Sequence, residues 1–104
     1  MSSPTQRSLA ELRKRDYLAE VTERWIPGAN IRRDLFGFID ILAIRDDEVL
    51  GVQATSGDNV AARVTKIAEH VNVGAVRKAG IRIEVWGWRK NAQGRWTLRE
   101  VDCS

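Results

Sequence analysis

Two apolar segments separated by four polar residues constrain the fold of this chain more than any other feature. Residues 38–44 and 49–55 are rich in branched apolar side chains, as strands are, and residues 45–48 between them are charged and turn-forming. A tight turn at the middle two of these four residues predicts an antiparallel hairpin in which Arg45 pairs with Glu48.

The register of this hairpin predicts three polar side chains on one face. Counting back from the turn places Asp40 opposite Gln53, and directly opposed residues have Cβ atoms roughly 4.5–5.5 Å apart. Thr55 shares that face because side chains alternate along a strand. Folding does not require a carboxylate in an otherwise apolar hairpin, and burying one is unfavourable. Asp40 is therefore a candidate functional residue.

Length and composition indicate one domain, residues 1–104, with residues 1–5 as a flexible N-terminus. The chain has 104 residues, 43% of them apolar, which suffices for one core. Its net charge of +3 suits a polyanionic partner. One Cys and one His exclude an internal disulfide and a Cys/His metal cluster, so we expect a reduced, cytoplasmic protein. No apolar run has membrane-spanning length and no signal-peptide pattern is present, so we expect no membrane association.

Helical and strand patterns alternate along the rest of the chain. The predicted elements are a helix at 6–15, a strand at 17–26, the hairpin, a helix at 60–71, and strands at 81–88 and 95–101. Alternation favours a strand over residues 17–26, with continuation of the preceding helix as the alternative. We expect all four tryptophans to be structural. The order predicts an α/β (α+β) domain, helix–three-strand meander–helix–two strands, with a mixed central sheet.

The order of elements and the polar residues of the hairpin resemble the PD-(D/E)XK nuclease superfamily, whose fold is restriction-endonuclease-like. The family motif is an Asp at the start of the second core strand and (Glu or Gln)-x-Lys on the third. Asp40 matches the Asp, Gln53 matches the Glu or Gln, and Thr55 stands where the Lys is expected. Residues 34–41 and 51–56 look like a group of small phage and prophage proteins assigned to this superfamily.

The resemblance implies a metal-dependent DNA endonuclease that uses Mg²⁺ or Mn²⁺ and acts on branched or recombination intermediates. The implied ligands are Asp40, the side-chain oxygen of Gln53 and the main-chain carbonyl of Ala54. Because Gln53 is neutral, Asp34 or Glu23 is a candidate source of further negative charge. The family Lys sits beside the attacking water, and Thr55 or Lys66 would take that place here.

A polar flank of the helix at 60–71 lies about 90° from its apolar stripe and is a candidate DNA surface. The predicted DNA contacts are Arg32, Arg33, Asn59, Arg63 and Lys66. His70 lies on the same flank, and we do not expect it to be a general base. A domain of this size is expected to form a homodimer in order to span a duplex. The alternatives are a catalytically inactive member of the same fold that binds DNA or a protein, and an unrelated α/β binding domain.

Overall fold

The computed structural model describes residues 3–104, and within them it contains three α-helices and seven strands. Their bounds are α1 Pro4–Lys14, β1 Leu18–Val21, β2 Arg24–Ile26, β3 Ile31–Arg33, β4 Ile41–Arg45, β5 Glu48–Ser56, α2 Val60–Ala68, α3 Val73–Lys78, β6 Arg82–Lys90 and β7 Trp96–Asp102. A short 3₁₀ turn, Gly57–Asn59, joins β5 to α2. None of the described helices combines the length and the hydropathy needed to cross a membrane.

Five strands form one mixed sheet in the order β1-β4-β5-β6-β7. The first three are antiparallel neighbours, β5 and β6 run parallel, and β7 returns antiparallel to β6. The predicted α+β class and mixed central sheet are therefore confirmed. Strands β2 and β3 form a separate two-stranded sheet, which no pattern in the sequence predicted.

Helices cover both faces of the large sheet, and each face has its own core. Leu12 of α1 packs in the first core with Val52 and Trp86, and Ile67 of α2 packs in the second with Val85. Side chains alternate along β5, so Gln53 follows Val52 on the opposite face, the face of the second core. The candidate polar residues of β5 thus lie on the face that α2 covers.

Two strand predictions were wrong at their ends. The segment 17–26 is neither one strand nor a helix: β1 ends at Val21, and β2 begins at Arg24 in the other sheet. Residues 38–40 precede β4 instead of belonging to it, because Leu35 and Ile39 form their own bridge and close a turn over this stretch.

Both predicted helices begin or end at positions other than those predicted, and α3, Val73–Lys78, was not predicted as a separate helix. The predicted helix at 60–71 ends at Ala68, and Val71 is 90% exposed, so it does not extend the apolar stripe. Pro4 and Thr5 were assigned to a flexible terminus but form the first turn of α1, where the Ser3 hydroxyl accepts a hydrogen bond from the Gln6 amide at 3.2 Å. The remainder of that predicted terminus, residues 1–2, lies outside the described residues.

Candidate metal centre

The hairpin of β4 and β5 opens at the end away from its turn. The predicted register is confirmed from the turn as far as the pair formed by Ile41 and Val52. The ladder stops at this pair. The main-chain amide of the next residue, Asp40, donates to the Val52 carbonyl at 2.9 Å, so two successive residues, Asp40 and Ile41, oppose Val52. Asp40 is therefore not paired with Gln53 as a strand residue, and it lies at the mouth of an opening between the strands.

The Asp40 side chain occupies this opening. Its Oδ2 accepts a hydrogen bond from the main-chain amide of Ala54 at 2.9 Å. A continued ladder would have placed Ile39 opposite that amide, but the Ile39 carbonyl accepts from the Thr22 hydroxyl at 2.7 Å instead. The Thr22 amide donates to the Asp40 carbonyl at 2.8 Å. Thr22 and β5 thus hold Asp40 from both sides.

Two further carboxylates meet Asp40 at this point. One oxygen from each of Glu23, Asp34 and Asp40 lies within 4.8 Å of the others. Asp40 is buried, and the other two are half-buried. Glu23 immediately precedes β2 and Asp34 immediately follows β3, so the small hairpin between them brings them together. Arg32 of that hairpin forms an ion pair with Glu23 at 3.0 Å.

The crowding of acidic groups alters how Asp40 ionises. Burial raises the pKa of the Asp40 carboxyl to about 8, with help from a hydrogen bond and the negative charge of Asp34, while the Ala54 amide acts in the opposite direction. Glu23 raises this pKa further through its charge. Three ionised carboxylates so close together repel one another, and a divalent cation among them would remove that repulsion.

Gln53 supplies an oxygen that the fold leaves unsatisfied. Its side chain is 2% exposed, and within residues 3–104 its Oε1 has no hydrogen-bond partner. Such a buried, unpaired acceptor costs about 1–3 kcal/mol. The amide that binds Asp40 belongs to the peptide group joining Gln53 to Ala54. Carboxylate and amide oxygens are the donors that Mg²⁺ and similar hard cations accept, so this donor set fits the predicted metal.

The predicted site residues from Thr55 onward make no hydrogen bond or ion pair with the three carboxylates within the described chain. Thr55 is buried on β5, on the same face as Gln53. On α2, Arg63 is half-buried and Lys66 is exposed, and within the described chain neither forms a hydrogen bond or ion pair with the three carboxylates. Asn59 is exposed and donates to the Ser56 hydroxyl at 3.1 Å. The predicted acidic ligands meet, whereas the predicted helix cations form no ion pair with them among the described residues.

The loop between Asp34 and Asp40 is fixed by contacts that no sequence pattern indicated. The His70 ring stands edge-on to Phe38 with 5.2 Å between ring centroids. Gly37 has φ +94°, and a Cβ there would lie 2.4 Å from His70 Nε2. His70 therefore packs against the loop that carries two of the three carboxylates. Thr22 was likewise missed, since a threonine after a strand has no distinctive signal.

Comparisons with protein-family models, with curated proteins and with solved structures gave no match for this chain. The resemblance to PD-(D/E)XK nucleases accordingly rests on the hairpin motif and on the order of elements alone.

Proposed function

We propose that the chain is a metal-dependent endodeoxyribonuclease of the PD-(D/E)XK type that hydrolyses phosphodiester bonds in branched or recombination intermediates. The observation that carries this proposal is the meeting of Glu23, Asp34 and Asp40 within 4.8 Å at the open end of the hairpin. The sequence motif pointed to Asp40, and Asp34 or Glu23 was a candidate source of further charge; oxygens of all three lie together. Mg²⁺ or Mn²⁺ is the proposed cofactor.

Each residue of the centre has a distinct part in this proposal. Asp40 is the anchoring ligand, because the Ala54 amide fixes its carboxylate. Asp34 and Glu23 supply the negative charge that the neutral Gln53 lacks, and Gln53 Oε1 and the Ala54 carbonyl supply neutral oxygens. When bound, Mg²⁺ polarises the scissile phosphate and lowers the pKa of the attacking water.

The cation that the family motif places beside the water has to come from elsewhere in this chain. Thr55 can hydrogen-bond a water but carries no charge. Lys66 is exposed on α2, the helix that covers the Gln53 face of the sheet, and its ammonium is proposed to stabilise the charge that develops on the phosphate. Arg63 on the same helix is proposed to contact the DNA backbone.

A second candidate is a non-catalytic member of the same fold that binds DNA or a protein. The observation that favours it is the buried, uncharged Thr55 at the motif Lys position. On this reading the acidic cluster would hold a structural cation or none.

The decisive experiment measures cutting of supercoiled plasmid and of a four-way DNA junction with Mg²⁺ or Mn²⁺. We expect cutting by the native chain and none by Asp40→Ala, with DNA binding retained by both. The matched control is Asp47→Ala, which removes an exposed carboxylate from the turn of the same hairpin and should cut normally.

Two results would overturn the endonuclease proposal. Equal cutting by Asp40→Ala would point to a contaminating nuclease or to a different catalytic site. Binding without cutting on every DNA structure, in either metal, would favour the second candidate.

A further inference from the structure

The small hairpin of β2 and β3, which we call the arm (residues 24–33), has little packing of its own. It consists of three residue pairs in a sheet separate from the main one. Every residue in it is exposed except Ile26, which is half-buried. An isolated two-stranded hairpin is at best marginally stable in water. An arm of this kind is therefore expected to gain contacts from something outside the chain.

The charge of the arm indicates what that partner is. Residues 24–33 contain three arginines and no Asp or Glu, so the arm alone carries +3, equal to the net charge of the whole chain. Arg32 lies on one face of the arm, and Arg24 and Arg33 pair with each other on the opposite face. Cations on both faces of a projecting hairpin are complementary to the phosphates of a nucleic acid.

Trp25 adds an aromatic surface to these cations. It is 55% exposed, the most exposed of the four tryptophans, and it is the cross-strand neighbour of Arg32. From the sequence we expected it to be structural, but it lies outside both cores. An exposed indole next to a guanidinium provides a stacking platform for an unpaired base.

The position of the arm connects it to the acidic cluster. Its first pair, Arg24 and Arg33, is flanked directly by Glu23 and Asp34, two of the three clustered carboxylates. The ion pair between Arg32 and Glu23, at 3.0 Å, holds the arm to the cluster. Any phosphodiester at the acidic cluster therefore lies at the base of the arm.

We propose that the arm is a DNA-recognition element in which Trp25 stacks on unpaired bases next to the cleaved phosphate, while Arg24 and Arg33 contact flanking phosphates. The inference rests on the proposed function for its choice of DNA as the partner. It assigns a substrate class: DNA with unpaired or unstacked bases, in preference to continuous duplex.

Binding without cleavage tests this inference separately from the nuclease activity. Fluorescence anisotropy of labelled DNA is measured with the full chain, in Ca²⁺ and separately in EDTA. The probes are a continuous duplex and the same duplex interrupted by a short unpaired loop. We expect Trp25→Ala to weaken binding of the looped probe about tenfold and to change binding of the continuous duplex less than about twofold. Trp25→Phe should restore most of the lost affinity.

The matched controls remove similar groups at or next to β7, the edge strand of the large sheet that pairs with β6. Trp96→Ala removes another exposed tryptophan, on β7, and Arg95→Ala removes an exposed arginine that precedes it. Both should bind the two probes as the native chain does. The double variant Arg24→Ala/Arg33→Ala should weaken binding of both probes. It should also reduce the magnitude of the slope of log affinity against log salt by about two.

The outcomes distinguish a failure of this inference from a failure of the proposed function. Native binding by Trp25→Ala overturns the inference while leaving any Asp40-dependent cutting intact. Loss of loop binding in Trp25→Ala, with no cutting under any condition, supports the arm and overturns the nuclease. If the native chain binds neither probe but sediments as a dimer that Trp25→Ala dissociates, the arm is a contact between copies and the inference is wrong.

Discussion

The carboxylate of Asp40 takes the place of main chain in the β4–β5 ladder by accepting the Ala54 amide hydrogen bond at 2.9 Å. This one bond orients the side chain and opens the hairpin, because Ile39 turns instead to Thr22. A buried acidic group held by backbone is costly unless something balances its charge. A proton or a bound cation can balance that charge, and the two have different, measurable energetic consequences.

Asp40→Asn should flatten the dependence of stability on pH in the metal-free protein. Asp40 has a pKa raised from 3.8 to about 8, so the folded state binds this proton more tightly than the unfolded chain does. Its contribution to stability is fully present below about pH 3.8 and is lost as the pH rises through about 8. Thermal and urea unfolding in EDTA, at about pH 5.5 and about pH 8.5, should show a fall of a few kcal/mol for the native chain, since each pKa unit is worth about 1.4 kcal/mol. An equal fall in stability in Asp40→Asn would contradict this explanation. The control is Asp47→Asn, which should show the same fall as the native chain.

Gln53→Met should separate folding from metal binding. Methionine has a similar shape and removes the unpartnered Oε1, so we expect the metal-free protein to keep its stability or gain up to about 1 kcal/mol. Calorimetric titration should show Mn²⁺ binding weakened about tenfold, which corresponds to about 1.4 kcal/mol, because one oxygen ligand is lost.

Adding a charge at Gln53 is a second test of whether this residue is a metal ligand. Gln53→Glu should tighten Mn²⁺ binding and lower metal-free stability, since it adds a buried charge to the cluster. Unchanged Mn²⁺ affinity in both variants would remove Gln53 from the ligand set.

Arg32→Ala should tighten Mn²⁺ binding. The Arg32 guanidinium, 71% exposed, forms an ion pair with Glu23 at 3.0 Å and would compete with a metal ion for that carboxylate. Exposed ion pairs contribute about 0.2–1 kcal/mol, which predicts an affinity gain of up to about fivefold. Arg33→Ala, which removes the neighbouring arginine of β3, should show a smaller change in the same titration. Weaker Mn²⁺ binding in Arg32→Ala would mean that the ion pair orders Glu23 for the metal instead of competing with it.

Gly87→Ala and Gly74→Ala should change stability in opposite directions. A Cβ at Gly87 would lie 2.2 Å from Val60 Cγ2, where the start of α2 packs on β6, whereas a Cβ at Gly74 in α3 meets nothing within 4 Å. We expect Gly87→Ala to lower the free energy of unfolding by about 1–3 kcal/mol and Gly74→Ala to raise it by about 0.5–1 kcal/mol. Urea unfolding at one pH measures both. If Gly87→Ala caused no loss of stability, α2 would have to move to accommodate the methyl group.

The hairpin and the helices α1 and α2 were predictable because their signals are local, whereas α3 was not predicted as a separate helix. Alternating apolar residues and a two-residue turn fix a register, and residues 48–56 and 82–90 form strands within two residues of the predicted ranges. The long-range part was not predictable in the same way. The split of the segment 17–26 depends on Thr22 bonding to Asp40 and Ile39, which is a tertiary contact with no counterpart in local propensity.

The candidate site divides along the same line. The sequence singled out Asp40 and Gln53 from the hairpin pattern, but Glu23 and Asp34 were only candidates, because the register of the connection between them was open. The arm fixes this register. Because Arg24 pairs with Arg33, the next residues outward, Glu23 and Asp34, are brought together. The exposure of Trp25 was missed for the same reason. Trp25 was taken as structural because it continues the alternation of the strand at 17–26, but the chain leaves the main sheet at Val21.

Lys66→Met tests which group replaces the missing motif lysine. Lys66 is exposed, and within the described residues its ammonium forms no ion pair, so its loss should leave the fold and Mn²⁺ affinity unchanged. If the ammonium acts on the attacking water or the phosphate, single-turnover cutting should slow about a hundredfold, the size of effect that a positioned proton-transfer or charge-stabilising group provides. The control is Lys78→Met, an exposed lysine in the last turn of α3, which should cut at the native rate. Native cutting by Lys66→Met together with slow cutting by Thr55→Val would instead give this role to the Thr55 hydroxyl, and the centre would then work without a lysine.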